Sequence, residues 1–424
     1  MKSTDQKNYA LPILMMILLF GMIAFVTNLA APMGVVVKGQ FQASNFEGML
    51  GNFANFLAYA FMGIPAGLML KKIGYKKTAL VAIVVGFTGV LIQFLSGVAG
   101  SFAIYLAGAF VSGFSMCMLN TVVNPMLNTL GGGGKKGNQL IQIGGSFNSL
   151  MGTLVPTLVG ILVGEVTKDT AITDVNPVLF IAMGIFALAG IVLAFVDIPE
   201  PHVASKTNVK YEHSPWAFRH FVLGTVAIFV YVGIEVGVPG TMNLFLVDPQ
   251  GFGGTAAEAG LVAGTYWFLM LIGRFAGASL GAKFSSKTML TCVSGLGIIL
   301  VLGAIFLPTT QTAMMPVFKA DLSFGMAEVP INAVLLVLCG LCTSIMWGSI
   351  FNLAVEGLGK YTEAGTGIFM VMVCGGGILP LIQNYVADVA GFMPSYWVII
   401  AALAYLLYYA LIGSKNVNTD IPVD

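Results

Sequence analysis

Apolar stretches of eighteen or more residues recur along the whole chain, and this recurrence limits the possible folds more than any other feature. At 1.5 Å per residue, each stretch can cross a hydrocarbon core of about 30 Å as a helix. Only 9% of the 424 residues are charged, whereas soluble domains have about 25%. The sequence predicts an all-α integral membrane protein with about twelve transmembrane helices, near residues 10–37, 47–70, 77–98, 101–129, 139–164, 177–197, 217–247, 256–282, 287–307, 331–356, 364–388 and 394–413.

Lysine and arginine are distributed unequally between the loops on the two sides of the predicted bundle. With the N-terminus inside, fifteen of the nineteen lie in inside loops or termini, three lie outside, and Arg274 lies within a span. Because basic residues concentrate in cytoplasmic loops, we expect both termini to be cytoplasmic. A formal net charge of +1 does not indicate a nucleic-acid partner. All five cysteines fall inside predicted spans, so the sequence indicates no disulfide framework, metal site or cofactor.

The two halves of the chain carry similar short segments in the same order. A shift of 210 positions aligns Ala66–Leu80 with Ala276–Leu290 at six of fifteen residues, and Asn124–Gly131 resembles Asn352–Gly359 further along. Duplicated bundles are common among transporters. We therefore predict a six-helix bundle at 1–198, a polar cytoplasmic linker at 199–216 and a second six-helix bundle at 217–424.

Glu235 is the only charged residue between Phe221 and Val247, in the seventh predicted span. A carboxylate at the bilayer centre costs about 2.5 to 3.5 kcal/mol on insertion scales, so it normally faces a cavity or a partner. Pro239 and the glycines around it would weaken the helix, and interrupted helices line substrate sites in transporters. Glu235 is thus a candidate for substrate binding, for proton or ion coupling, or for both. The alternative is a protonated carboxyl that bonds to a neighbouring helix.

Amide side chains form the second set of polar groups at membrane depth. In span four, Asn120 and Asn124 share one helical face with Asn128, and Pro125 is expected to break the helix there. Amides donate and accept hydrogen bonds together, which suits a neutral polyhydroxylated ligand, although each could instead join two helices. The candidate substrate-binding residues besides Glu235 are Asn28, Asn120, Asn124, Gln142, Asn148, Asn243, Trp267 and Asn352.

Two further residues within spans admit more than one interpretation. Trp267 lies in the middle of span eight, where its ring could pack against the apolar face of a sugar or simply fill space. Arg274 lies nearer the cytoplasmic end of the same span and is expected to pair with, or cap, helix ends between the halves. An enzyme would need an acid-base pair or a metal cluster at membrane depth, and the sequence offers one acid, Glu235, at that depth and no such cluster, so we do not expect an enzyme.

The motifs resemble those of the major facilitator superfamily, and within it the fucose-galactose-glucose proton symporters. The resemblance covers nearly the whole chain and is carried by "AGLMLKKIGYKK", "NPMLNTLG", "FNS", "YVGIEVG", "GRFAG" and "GGGILP". It implies a bacterial inner-membrane protein with alternating access around a central sugar site, and it matches Glu235, Asn124 and Asn148 to residues that the glucose-type members share. Two acids of the fucose-type members are missing, since Asn120 replaces one and "TNLAAP" lacks the other.

These features together predict a secondary active transporter that imports a neutral hexose-type sugar. Coupling to protons would have to run through Glu235, while sodium coupling or uncoupled diffusion stays open. The alternatives are an exporter or lipid flippase of the same fold, or a sugar sensor that does not transport. The expected partners are the small-molecule sugar and the lipid bilayer, and each chain has enough helices to work as a monomer.

Overall fold

The computed structural model describes residues 9–41, 45–163, 171–200, 212–249, 251–319 and 323–423. Most of them lie in fourteen α-helices: α1 (Ala10–Gln40), α2 (Asn45–Ala99), α3 (Phe102–Leu130), α4 (Gly134–Val163), α5 (Asn176–Phe195), α6 (Arg219–Val247), α7 (Ala256–Gly281), α8 (Ser286–Phe306), α9 (Ile331–Thr343), α10 (Met346–Val355), α11 (Thr362–Val371), α12 (Gly375–Ala390), α13 (Phe392–Ser395) and α14 (Trp397–Tyr408). Short 3₁₀ turns occur at Ile172–Val175, Pro215–Ala217, Gly359–Tyr361 and Met372–Cys374, and a π-turn at Tyr409–Gly413. Two strands, β1 (Thr312–Phe318) and β2 (Phe324–Pro330), pair as an antiparallel hairpin.

Ten segments of the described chain are long and apolar enough to cross a membrane. One of them, Leu50–Ala99, has 50 residues and contains two of the predicted spans, because the helix is interrupted at Gly74. Helix α4 has 30 residues and covers most of the fifth predicted span. Every span that the hydropathy pattern predicts therefore has a helical counterpart.

The interruption at Gly74 is stabilised by a residue from beyond α5. Gly74 has φ 83° and ψ 177°, a backbone conformation that a side chain would strain. The Glu200 carboxylate accepts hydrogen bonds from the backbone N–H of Tyr75 at 2.7 Å and of Lys76 at 3.0 Å, as a helix N-cap does. The first residues of the predicted linker are thus attached to the N-terminal helices. Residues 201–211 lie outside the described part of the chain, so the limits of the linker and of the two bundles stay predictions.

The helix breaks expected at proline are wrong in two cases. Helix α3 continues through Pro125 and α6 continues through Pro239. The Tyr396 hydroxyl donates to the carbonyl oxygen of Val238 at 3.0 Å, one residue before Pro239. The interruptions lie elsewhere, between α9 and α10 and between α11 and α12.

The hairpin is an addition that the hydropathy pattern did not predict. It connects α8 to α9, and its register places Met314 opposite Glu328 and Val317 opposite Gly325. Its inner face is buried, with Met315, Val317, Ala327 and Val329 in contact with the apolar core. Buried and exposed residues alternate along both strands, as strand geometry requires, but the hydropathy pattern treats this segment only as a loop between two spans.

Glycines bring α2 and α11 into backbone contact. A Cβ atom placed on Gly67 would lie 2.9 Å from the Cα atom of Gly367, and one on Gly367 would lie 2.7 Å from the carbonyl oxygen of Gly63. Small residues let membrane helices approach closely. This contact lies at the end of the bundle that carries the lysine-rich loops at 71–77, 131–136 and 282–287, which we call the basic end.

Candidate functional site

Glu235 forms an ion pair in the interior of the bundle. Its Oε1 atom lies 3.1 Å from Nη2 of Arg274 on α7, and the two side chains are 15% and 7% exposed. Two charges removed from water in this way are tolerated because each neutralises the other. The mid-span acid of the sequence analysis therefore has a basic partner on the adjacent helix.

Arg274 also joins helices from the two halves of the chain. Its Nη1 atom donates to the carbonyl oxygen of Gly145 at 2.7 Å and to Oδ1 of Asn148 at 3.3 Å, both on α4. Its Nε atom donates to the carbonyl oxygen of Ser344 at 3.2 Å, where α9 ends. The guanidinium offers five N–H donors in a fixed planar arrangement, so one side chain can fix several acceptors. These contacts confirm the expected pairing of Arg274 with helix ends between the halves.

The interruption between α9 and α10 presents a second carbonyl to α4. Gln142 Nε2 donates to the carbonyl oxygen of Ile345 at 2.9 Å and approaches Oδ1 of Asn138 at 3.4 Å. The break thus exposes two successive carbonyl groups, those of Ser344 and Ile345, and each is bound by a side chain in the interior. Two of the predicted site residues, Gln142 and Asn148, meet the C-terminal half here.

The row of asparagines on α3 makes a continuous set of hydrogen bonds. Asn120 Nδ2 donates to the Tyr59 hydroxyl at 3.0 Å, and Asn124 Nδ2 donates to the backbone oxygen of Asn120 at 2.8 Å. Asn124 Oδ1 accepts from the indole Nε1 of Trp347 at 2.9 Å. The Trp347 ring meets that of Tyr231 edge-on, at 6.3 Å between centroids. Asn124 is therefore one point where α3 contacts α10 in the other half.

A further amide pair joins the halves closer to the basic end. Asn128 Nδ2 donates to Oδ1 of Asn352 at 2.8 Å, and Asn352 Nδ2 donates to the hydroxyl of Ser286 at 2.9 Å. At the loop itself, Lys135 Nζ donates to the carbonyl oxygen of Lys283 at 3.0 Å. The two halves are thus bonded from the loops of the basic end up to the level of the ion pair.

Three predicted residues lie apart from these bonds. Asn28 bonds back to the Ala24 carbonyl oxygen of its own helix at 2.8 Å. Asn243 lies toward the end of α6 away from the basic end, and its Oδ1 atom is buried without a hydrogen-bond partner among the described residues. Trp267 is half-buried and packs edge-on against Tyr266, at 5.4 Å between ring centroids. Their substrate-binding assignments, like those of the bonded amides, stay predictions.

The structure adds residues that the candidate list lacked. Arg274, Asn128 and Trp347 each bond to a predicted site residue. Each had a signal in the sequence: a lone basic residue within a span, the third member of an i, i+4, i+8 row, and a tryptophan away from the ends of its predicted span. Within the described ranges, no three His, Cys, Asp or Glu side chains meet as a metal site would require.

The arrangement has two chemical capabilities. A carboxylate beside a guanidinium can take up a proton, which breaks the ion pair, and can exchange its partner for ligand hydroxyls. The amides can switch between bonding across the halves and bonding to a ligand, because the same donors and acceptors serve both. In this conformation the bonded amides are engaged within the protein.

Comparison with known proteins places the chain among membrane transporters. The model of the Major Facilitator Superfamily matches residues 13–381. A protein named glucose/galactose transporter from Brucella abortus is 31% identical over 98% of this chain and 97% of its own length. The L-fucose-proton symporter of Escherichia coli is 22% identical over 92% of this chain and 90% of its own.

The fold also matches solved structures. A crystal structure of the superfamily transporter FucP in the outward conformation superimposes with a TM-score of 0.81, covers 97% of this chain and all of its own, and is 21% identical in sequence. These matches are to transporters, not enzymes. Together with the helical bundle and the match over most of its length, they establish that the chain belongs to the Major Facilitator Superfamily.

Proposed function

We propose that this protein imports a neutral hexose-type sugar by alternating access and couples uptake to an ion. The observation that carries the proposal is the Glu235–Arg274 ion pair, which sits inside the bundle and is bonded through Arg274 to the opposite half. Relatives whose names refer to glucose, galactose and fucose support the substrate class. Amides around the pair supply the mixed donors and acceptors that sugar hydroxyls need.

Glu235 would act as the proton carrier. When its carboxylate takes up a proton, Arg274 loses one of the acceptors that fix it between α6 and α4. The bridge that Arg274 makes between α7 and α4 then weakens, and the two helices can separate. Coupling would then require that proton binding and sugar binding favour each other, so that the halves reorient with both bound and neither crosses alone.

The geometry favours a neutral ligand over an anionic one. Arg274 is a cation at membrane depth, but Glu235 pairs with it, and oxygen atoms of Ser344, Gly145 and Asn148 accept from its other nitrogens. A carboxylate ligand would have to displace Glu235 from that position and leave a second acid nearby. Sugar hydroxyls add no charge, so they can join the network without this cost.

The positive-inside bias supports an orientation in which the basic end faces the cytoplasm. The bonds between the halves then close the cytoplasmic side in this conformation. We propose a bacterial inner membrane as the location, with both termini cytoplasmic and the monomer as the working unit. Exporter, flippase and sensor activities are the outcomes that the following assay separates.

The test is uptake of labelled sugars into proteoliposomes. Glucose, galactose, fucose, mannose and N-acetylglucosamine are each offered under a proton gradient, a sodium gradient or no gradient. Wild type is compared with Glu235→Gln, which keeps the side-chain size but cannot ionise. Glu258→Gln is the matched control, because Glu258 caps the start of α7 through Thr255, outside the bundle interior.

We expect one sugar to accumulate under the proton gradient in wild type and in Glu258→Gln. In Glu235→Gln, accumulation should be lost while exchange of sugar across the membrane is retained. Uptake driven by sodium, or downhill uptake that survives in Glu235→Gln, would contradict proton coupling through Glu235. Absence of uptake of every sugar by wild type would contradict the import proposal itself and favour export or sensing.

A further inference from the structure

A groove lies on the outer surface of the N-terminal half, between α5 and the part of α2 that follows Gly74. Its lining residues, within 80–87 and 186–194, are all apolar, and its volume is about 420 Å³. Gly190 leaves this space free, because a Cβ atom there would lie 3.3 Å from Cγ2 of Ile83 across the groove. Val84 and Ile191 are 65% and 61% exposed, so the groove opens to the surroundings of the bundle and not to its interior.

The groove begins one helical turn below the membrane boundary at the basic end. Residues 75–99 of α2 are about 37 Å long at 1.5 Å per residue, slightly more than a hydrocarbon core of about 30 Å. Lys76 and Lys77, in the first turn of this segment, therefore lie at the level of the lipid headgroups. Lys77 shares a helix face with Val84 and Phe87, which lie about 10 to 15 Å deeper along the axis. The groove thus extends from the headgroup level into the hydrocarbon, as an acyl chain does.

Positive charge is concentrated at the headgroup end of the groove. Lys76 Nζ donates to the carbonyl oxygen of Ala194 at 2.9 Å, which holds its ammonium beside the last groove residue of α5. Lys77 is exposed, whereas both carboxylate oxygens of Glu200 accept from backbone N–H groups of α2. The corner as a whole carries four lysines and two acids, namely Lys71, Lys72, Lys76, Lys77, Asp197 and Glu200. This excess of positive charge is complementary to an anionic headgroup.

The equivalent place in the C-terminal half has the lysine but a covered helix face. The shift of 210 positions that aligns the halves pairs Lys77 with Lys287, in the first turn of α8. It pairs Val84 with Ser294, which is fully buried where α14 packs against α8. A lysine at the membrane boundary is therefore common to both halves, and in the N-terminal half it lies above an open apolar groove.

We propose that this groove binds one anionic phospholipid, with an acyl chain between α2 and α5 and the phosphate at Lys76 and Lys77. The groove alone would not select a lipid, because all phospholipids carry similar chains and lipid tails are as apolar as the helix surface. Its contribution is the packing of one chain into a shaped surface. The lysines supply the selectivity, as basic pockets between transmembrane helices do for anionic headgroups on the cytoplasmic side.

Native mass spectrometry of the purified protein in detergent tests this site. Palmitoyl-oleoyl phosphatidylglycerol, which is anionic, and phosphatidylcholine with the same chains, which is zwitterionic, are titrated separately, and the fraction of protein that carries one lipid gives each affinity. Lys77→Gln removes a charge, and Gly190→Leu fills the groove. The matched controls are Lys287→Gln, at the equivalent lysine, and Gly184→Leu, at an exposed glycine of α5 outside the groove where a Cβ atom meets nothing within 4 Å.

We expect wild type to bind phosphatidylglycerol several-fold more tightly than phosphatidylcholine. Lys77→Gln should weaken phosphatidylglycerol binding by about five-fold, the share of one lysine near an anionic headgroup, and leave phosphatidylcholine binding unchanged. Gly190→Leu should weaken the binding of both lipids, and both controls should match wild type.

Three outcomes would overturn the proposal. Equal affinity of wild type for the two lipids would mean that the lysines do not select a headgroup. An equal loss of phosphatidylglycerol binding in Lys287→Gln and Lys77→Gln would mean that the overall charge of the basic end attracts the lipid. Unchanged phosphatidylglycerol binding in Gly190→Leu would place the lipid outside the groove.

Discussion

Arg274 connects the chemistry of the site to the contact between the halves. It holds Glu235 on α6, Gly145 and Asn148 on α4, and the carbonyl oxygen of Ser344 at the end of α9. Lysine could not reproduce this arrangement, because an ammonium is a point charge with three donors. The residue therefore has to be arginine for the ion pair and the bridge to exist together.

The ion pair can be tested by comparing a variant that lacks one charge with a variant that lacks both. Arg274→Met leaves the Glu235 carboxylate buried without its partner, and breaking a buried pair in this way costs about 3 to 5 kcal/mol. Combined with Glu235→Leu, the same substitution leaves no buried charge, so the part of the loss that comes from the unpaired carboxylate should return, while the acceptors on Gly145, Asn148 and Ser344 still lack their donor. Thermal unfolding in detergent measures both. If the double variant unfolds at the same temperature as Arg274→Met, the pair does not stabilise the bundle.

Single residues could be predicted from the sequence only in part. Glu235 was identifiable because a charge within an apolar span is rare, and Asn120, Asn124 and Asn128 because they recur every four residues. The partners were not identifiable. That Arg274 meets Glu235, or that Trp347 donates to Asn124 across 223 positions, depends on how the two halves pack. Hydropathy and spacing report on one helix at a time.

Among the helices, the backbone contact between α2 and α11 sets how closely the halves approach. No side chain fits between Gly67 and Gly367, where a Cβ atom on the first would lie 2.9 Å from the Cα atom of the second. We predict that Gly367→Ala disfavours this conformation and shifts the population toward one in which the basic end is open. Uptake should then slow, because the basic end must close again before the next sugar can bind, and the substitution makes this closure unfavourable.

Spin labels on Lys72 and Glu356, both exposed at the basic end but on different halves, measure the change as a distance distribution. In Gly367→Ala the distribution should move to longer distances by several ångströms, as expected for separation of rigid domains. Gly184→Ala is the control, because a Cβ atom at Gly184 meets nothing within 4 Å. An unchanged distribution in Gly367→Ala would mean that the glycine contact does not limit closure.

Whole helices were predicted well, and their irregularities were not. Long apolar runs gave the spans, since a helix is the structure that satisfies its own backbone in lipid. Proline was a poor guide to breaks, since α3 and α6 continue through Pro125 and Pro239. The break after α9 occurs in a segment without proline, where Arg274 binds the carbonyl oxygen of Ser344 and Gln142 binds that of Ile345, which also accepts from the backbone N–H of Ser349. Compensation by partners from other helices decides where a helix can open, and a single segment does not contain that information.

For the molecule as a whole, alternating access requires the basic end to open and close while each half moves as a unit. The structure offers two contacts of the same kind to test this. Lys135 Nζ lies 3.0 Å from the carbonyl oxygen of Lys283, across the halves. Lys76 Nζ lies 2.9 Å from the carbonyl oxygen of Ala194, within the N-terminal half. Both pairs join loops or helix ends at the basic end, so they differ mainly in whether the two halves are connected.

Each pair can be replaced with cysteines, which a flexible, reducible bifunctional thiol reagent then joins. Cross-linking Lys135→Cys to Lys283→Cys should abolish uptake, because it holds the basic end closed, and reduction should restore it. Cross-linking Lys76→Cys to Ala194→Cys should leave uptake close to that of the untreated protein, because the N-terminal half is not divided by the motion. If the protein cross-linked between the halves still transports, the halves do not have to separate at the basic end, and substrate must pass by another route. If both cross-links abolish uptake, the N-terminal half does not move as a rigid unit.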